Sequence, residues 1–206
     1  MRLVTVITAD VIGSRGYEGV QVSLENRLRE LSHPNLVLPF TVSRGDEVQG
    51  VCSGYLTAPE LVRHLRYRCR PFALRVGIGL GPAPEQRAQT SWNLTGEAFF
   101  RSRDALDSLK GGRHPGTAVV SGNARADVIA GGLLELMDAV FSRWTDEQWE
   151  AVQSYELEGT YEAAGRKLGI ALQNVEKRCR AARWAAVRRG EAALRDIGQL
   201  VAAHPA

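Results

Sequence analysis

Residues 2–15 read RLVTVITADVIGSR. Val4, Thr5, Val6, Ile7 and Thr8 form an unbroken β-branched run, and side chains branched at Cβ suit a strand. A buried strand is expected over 2–9. It ends on a carboxylate, Asp10, and a turn region from Gly13 to Gly19 follows. What that acid can meet is decided by the elements around it.

Downstream, Val20, Leu24, Leu28 and Leu31 recur at helical spacing and predict a helix over 20–32. Two strands, 35–43 and 46–53, flank a tight Arg44-Gly45-Asp46-Glu47 turn, a hairpin signal. A helix is expected over 58–70, with Leu61, His64 and Leu65 on one side, and then a strand over 72–80. A loop with two prolines covers 81–94, an amphipathic helix 95–110 and a short strand 117–121. After that no strand pattern survives. Residues 124–203 read as helices broken at Gly131-Gly132, Gly159, Gly169 and Gly190. The fold class is α+β, with a boundary between about Ser121 and Arg143. It assigns 1–125 to a mixed domain and 126–206 to an all-α one.

The 206 residues fit one large domain or two small ones. Hydrophobic residues make up 44% and charged residues 24%, which suits a packed core and argues against disorder. No apolar run approaches the roughly 18 residues of a membrane helix, and the N-terminus lacks the pattern of a secretory signal. A cytoplasmic protein with no membrane association is expected. Cys52, Cys69 and Cys179 are far apart, with no CxxC pair, so reduced thiols are expected and zinc is not. No HExxH, GxSxG or GxxxxGK[ST] occurs.

The net charge of +3 is mild, but its distribution is uneven. Arg166 to Arg189 holds eight basic residues and one acid, Glu176, whereas Asp146 to Glu162 holds six acids and no Lys or Arg. Residues 160–179 read TYEAAGRKLGIALQNVEKRC. Thr160 can cap a short helix, Ala164 and Leu168 lie one turn apart, and Gly169 stops it. Leu172, Val175 and Cys179 then form a second apolar stripe. This is the arithmetic of a helix-turn-helix, with 145–157 as the packing helix. Its outer face offers Gln173, Asn174, Lys177, Arg178 and Arg180. Amides can read adenine edges, and guanidinium groups can read guanine or hold phosphate. Apolar residues at 172, 175, 179, 182 and 186 also fit a long dimerising helix over 172–203. The two readings are compatible.

Asp10 and Asp46 could converge at one sheet edge. Two carboxylates and a backbone carbonyl, that of Val11, make a natural Mg2+ or Mn2+ site, completed by phosphate oxygens. A turn at Gly13 could aim backbone N–H groups at phosphate. The plainer alternative is that Asp10 caps the following segment and Asp46 makes the turn.

The chain resembles the SatD family of bacterial proteins on four blocks: TADVIGSR (8–15), SRGDEVQG (43–50), LRVGIGLG (74–81) and TGEAFFRSRDAL (95–106). Their order is similar to that in class III nucleotide cyclases and GGDEF domains. The resemblance implies a ferredoxin-like βαββαβ core with a metal–nucleotide cleft, followed by a helix-turn-helix. It implies metal binding by Asp10, Val11 and Asp46. It implies nucleotide or phosphate binding by Ile12, Gly13, Ser14, Arg15 and Arg103. The GGDEF-like turn makes Glu47 a catalytic candidate beside Arg103. The pattern departs where cyclases read purine, here Val42. It departs again where they place an Asn, here Phe100, and a transition-state Arg, here Asp104, although Arg101 and Arg103 are close. Arg103 near the buried face of its helix needs a partner, either an acid such as Glu47 or Asp10 or a bound phosphate. The expected function is a DNA-binding transcription regulator, a homodimer, with a catalytically degenerate metal- and nucleotide-binding sensor domain. The alternative is an active nucleotidyl cyclase or polymerase-type enzyme that uses the two aspartates.

Overall fold

A computed structural model of the protein describes residues 2–43, 45–83, 90–112 and 114–203. Arg44 of the expected turn and 84–89 of the expected loop lie outside these residues. The chain runs β1 (Arg2–Val11), α1 (Val20–Leu28), β2 (Leu36–Val42), β3 (Val48–Ser53), α2 (Glu60–Cys69), β4 (Leu74–Ala83), α3 (Glu97–Ser108) and β5 (Gly116–Val120). It continues as α4 (Ala124–Phe141), α5 (Asp146–Glu158), α6 (Tyr161–Leu168), α7 (Leu172–Ala181) and α8 (Trp184–Ala203). The architecture is α+β, with one five-stranded sheet and eight α-helices among the described residues.

The chain divides into two compact units, Met1–Glu135 with Ala193–Ala206, and Leu136–Ala192. The last turns of α8 belong to the sheet unit. Arg195 Nη2 pairs with Glu60 Oε2 at 2.8 Å, and a Cβ on Gly198 would stand 2.1 Å from the Tyr55 carbonyl oxygen. No periodicity in 193–203 signals that return.

Strand order is β2-β3-β1-β4-β5. The β2/β3, β3/β1 and β1/β4 pairs are antiparallel, and β4/β5 is parallel. β1 is central and buried along most of its length, as its β-branched run predicts. On β4, Val76, Ile78 and Leu80 alternate with Gly77, Gly79 and Gly81. Successive side chains of a strand point to opposite faces, so the three glycines share one face. Helix α3 lies on it. A Cβ on Gly77 would be 2.3 Å from the Ser102 oxygen, and one on Gly79 would be 2.0 Å from the Ala98 oxygen. Only glycine permits this approach.

Three expectations fail, each for a physical reason. β4 does not end at residue 80 but pairs with β1 to Ala83↔Arg2. Pro82 is tolerated because β5 pairs with β4 only as far as Gly79 and needs no N–H beyond it. Helix α4 runs unbroken through Gly131-Gly132, and α8 through Gly190. A helical glycine costs about 1 kcal/mol, which the buried stripe Ala130, Leu134, Met137 and Phe141 outweighs in α4. Finally, 172–203 is two helices rather than one. Arg183 adopts a left-handed φ of 57° between α7 and α8, and Val187 is buried where the heptad rhythm expects residue 186.

All three cysteines are free and buried. Burial pushes the Cys52 and Cys69 thiols from an ordinary 9.0 up to about 12. Glu60 adds to the rise at Cys52, and Arg27 opposes it at Cys69. The fold accepts only the neutral thiols. Their contribution is complete below about pH 9 and is lost as pH climbs through about 12. Native protein should therefore resist a thiol-specific chromogenic reagent at neutral pH. Its urea midpoint should fall at alkaline pH, and less steeply in the Cys52→Ala/Cys69→Ala variant. Separately, Gly79→Ala should destabilise the protein by about 1–3 kcal/mol or more, read from the same urea midpoints.

Candidate functional site

The alternation of β1 sets the position of its terminal acid. Val4 and Val6 pack with Val51, Ala83, Ala98 and Phe99, on the side of α3. Thr8, on the same face, has its Oγ1 3.0 Å from Ser102 Oγ and accepts from Gln49 Nε2 at 3.0 Å. Asp10 is the next residue on that face. Opposite it in register stands Arg75 of β4. Arg75 Nη1 donates to Asp10 Oδ2 at 3.3 Å, and its Nη2 donates to the Gly112 carbonyl at 2.8 Å.

The other oxygen, Asp10 Oδ1, is buried and has no hydrogen-bond partner among the described residues. Burial raises the Asp10 carboxyl above the ordinary carboxylate range. Arg75 opposes that rise, the negative charge of Asp46 adds to it, and Lys110 weakly opposes it. A half-buried carboxylate whose enclosed oxygen is unsatisfied among the described residues is a costly arrangement. A cation or a proton at Oδ1 relieves the cost.

Asp46 arrives on the β2–β3 hairpin. Ser43 N–H donates to the Glu47 carbonyl at 2.8 Å and closes it. Gly45 takes a φ of 110°, open to glycine alone among common residues, and its N–H donates to Gln21 Oε1 of α1 at 3.3 Å. The Glu47 carboxylate pairs with Arg103 Nη1 of α3. One end of the sheet thus gathers Asp10, Asp46, Glu47 and Arg103. Arg103 takes the acid Glu47 as its partner, the plainer of its two expected roles. Arg101 is engaged elsewhere, donating to the Leu80 carbonyl at 2.7 Å and pairing with Glu97 at 2.8 Å. Phe100 and Asp104 are exposed.

After β1 the chain turns over Ile12 to Gly16. Ile12 N–H donates to the Ala73 carbonyl at 2.8 Å, and Gly13 sits at φ 70°. A 3-10 turn then spans Ser14–Gly16. Val11 is buried, Ile12 and Ser14 are half-buried, and Arg15 is exposed. The donor set, two carboxylates with a backbone carbonyl nearby, is the hard-oxygen kind that Mg2+ and Mn2+ prefer. Among the described residues no group of three or more His, Cys, Asp or Glu side chains is placed to hold a metal ion.

Arg75 is the residue that sequence reading missed. It lies in the LRVGIGLG block, and only the cross-strand register, which no single-strand pattern reveals, sets it against Asp10. The Thr8–Gln49–Ser102 network was missed for the same reason.

In the second unit α5 is capped reciprocally. Thr145 Oγ1 accepts from Gln148 N–H at 3.3 Å, and the Gln148 side chain accepts from Thr145 N–H at 3.1 Å. Gly159 ends α5 at φ 75°, Thr160 caps α6, and Gly169 ends α6 at φ 67°. A Cβ on Gly165 would be 2.7 Å from the Ile170 oxygen, so α6 and the turn into α7 lie close. Val175 and Cys179 bury one face of α7. Gln173, Asn174, Lys177 and Arg180 are exposed on the other, and Arg178 is half-buried. Arg178 lies near enough to Glu147 to contribute to lowering its pKa, behind the Thr145 hydrogen bond and the backbone. Trp144, in edge contact with Phe141 and Trp149, donates its indole N–H to the Ala182 carbonyl at 2.8 Å. That bond fixes the α7–α8 corner.

These features define a two-unit α+β protein, with a carboxylate cluster at one sheet end and a basic helical hairpin in a separate unit. The chain belongs to the SatD family, which it matches over residues 4–183. No curated protein matches it. Among the described residues no helix is long and apolar enough to cross a membrane.

The Glu47–Arg103 pair is partly exposed, with Arg103 at 41%, so solvent screens it. A double-mutant cycle on Glu47→Gln and Arg103→Gln should return a coupling below about 1 kcal/mol that shrinks further at high salt.

Proposed function

We propose that this SatD-family protein is a DNA-binding regulator whose sheet unit senses a metal-bound nucleotide or related phosphate ligand. The observation that carries the reading is the two-faced character of α7. Val175 and Cys179 are buried, while Gln173, Asn174, Lys177 and Arg180 stand exposed within a basic stretch. In this reading α6, the Gly169 turn and α7 are a helix-turn-helix and α7 enters the major groove. Lys177, Arg178 and Arg180 hold phosphate or guanine, and Gln173 and Asn174 read bases.

The sheet unit is read as ferredoxin-like. The order β2-β3-β1-β4 with antiparallel neighbours supports this, because a βαββαβ chain whose two crossovers flank one hairpin lays its strands that way. Asp10, Asp46 and the Val11 carbonyl would hold Mg2+ or Mn2+, which would supply charge neutralisation for a phosphate. The unsatisfied Asp10 Oδ1 is what favours this. The turn at Ile12, Gly13, Ser14 and Arg15 would receive the phosphate. Arg75 holds the far oxygen of Asp10 in place. The ligand acts by binding one of two conformations better than the other. Helices α4 and α8, which both run between the units, are the covalent connections through which that preference passes. The mutual pairing of Glu47 and Arg103 weighs against the enzyme reading, since each catalytic candidate is already engaged by the other.

Fluorescence anisotropy with a random-sequence duplex at two salt concentrations tests this. Binding should be strongly salt-dependent. Lys177→Ala and Arg180→Ala should each weaken it and reduce the salt slope by about 1. Mg2+ with a nucleotide mixture should shift the affinity, and Asp10→Ala should remove the shift. Absence of salt-dependent binding overturns the regulator reading. Nucleotide turnover that Asp10→Ala abolishes would replace it with the enzyme.

A further inference from the structure

Most glycines packed into helices or against them here have a visible reason. Gly77, Gly79, Gly165 and Gly198 each leave less than 3.0 Å for a Cβ against neighbouring backbone. Gly131 and Gly132, in the middle of α4, do not: a Cβ on either meets nothing within 4 Å. The helix face around Gly132 is also apolar where it should be polar. Val128 is 76% exposed and Ile129 55% exposed, one turn before Gly132. At 3.6 residues per turn, Arg125, Val128, Ile129, Gly132 and Glu135 fall along one side of the helix. Arg125 and Glu135 close that stripe at its two ends. Both are exposed, and neither makes an ion pair among the described residues.

We infer that this face of α4 pairs with the same face of a second copy of the chain, antiparallel across a two-fold axis beside residue 130. The charges choose both occupant and direction. In an antiparallel pair centred on 130, Arg125 of one copy meets Glu135 of the other, twice. The same centre sets Val128 opposite Gly132, a bulky side chain over a bare backbone. A parallel pairing would set Arg125 against Arg125 and Glu135 against Glu135, which repel. A two-fold interface must be complementary to itself. This stripe is at two pairs of positions, because Arg125 and Glu135 on the one hand and Val128 and Gly132 on the other lie symmetrically about one point. The inference does not depend on DNA or nucleotide binding.

Sedimentation velocity of the full chain over a range of concentrations tests it, with circular dichroism confirming that each variant keeps its helix content. The wild type should be a reversible dimer. Arg125→Glu and Glu135→Arg should each weaken dimerisation by about tenfold or more, since each sets like charges together at both ends. The double variant R125E/E135R should recover the wild-type constant. Val128→Glu should give a monomer. A wild type that stays monomeric at every concentration overturns the proposal, including the case in which a different protein covers the face. A dimer indifferent to the single charge reversals overturns it as well. If the singles weaken the dimer and the swap fails to restore it, the antiparallel register is overturned.

Discussion

The sheet unit depends on how closely α3 approaches β4. That distance is set by the absence of three β-carbons, at Gly77, Gly79 and Gly81, on one face of one strand. With the helix backbone against the sheet, Ala98 and Phe99 reach Val4 and Val6, and Ser102 reaches Thr8 across two strands. Arg103, one residue on, is then delivered to the hairpin turn that carries Glu47. Any side chain on the glycine face would lift α3 and withdraw Arg103 from its partner. Packing and site assembly are therefore the same event. The glycines hold no ligand, yet the position of Arg103 at this sheet end follows from them.

The charge arrangement at that end is asymmetric. Glu47 and Arg103 satisfy each other in a pair that is partly exposed to solvent. Asp10 is more enclosed. Arg75 compensates one of its oxygens, and the other has no hydrogen-bond partner among the described residues. Burial and the nearby Asp46 both raise the proton affinity of Asp10, and Arg75 only partly offsets this. Among the described residues Arg75, and more weakly Lys110, only partly offset the two neighbouring carboxylates, which leaves a local demand for positive charge at Asp10. That demand is local chemistry, and it stands whichever molecule meets it.

Much of this was legible in the sequence because the informative signals were local. The β-branched run of β1, the hairpin between 35 and 53 and the glycine stop at 169 each depend on neighbours within one element. For Arg103 the sequence left Glu47, Asp10 and a bound phosphate open as partners, and the structure pairs it with Glu47. Register was not legible. Arg75 opposes Asp10 only because β1 and β4 pair with a particular offset, 65 residues apart in sequence. A single strand's pattern holds no record of its neighbour's phase. The return of residues 193–203 to the sheet unit was hidden likewise, since helical periodicity says which face is buried and not against what.

The glycines show where a residue-by-residue reading breaks down. Taken singly, Gly131, Gly132 and Gly190 are helix breakers, and that reading divides the C-terminal third too finely. The penalty of each is small beside what a long apolar stripe gains on burial, so α4 and α8 persist through them. The same residue type ends α5 and α6, because Gly159 and Gly169 come where the stripe itself stops and a left-handed residue can satisfy the last carbonyls. Glycine therefore terminates a helix where burial has already ended, and merely weakens it where burial continues. The decisive variable is the apolar stripe on either side. By that criterion the break at Arg183, a residue with no special freedom, is the unexpected one. It is held by the indole of Trp144 on the Ala182 carbonyl and by the change of buried phase from Cys179 and Ala182 to Trp184 and Val187. The phase change turns the chain out of α7 and into α8, and it is what leaves α7 a short, separate helix with one face free.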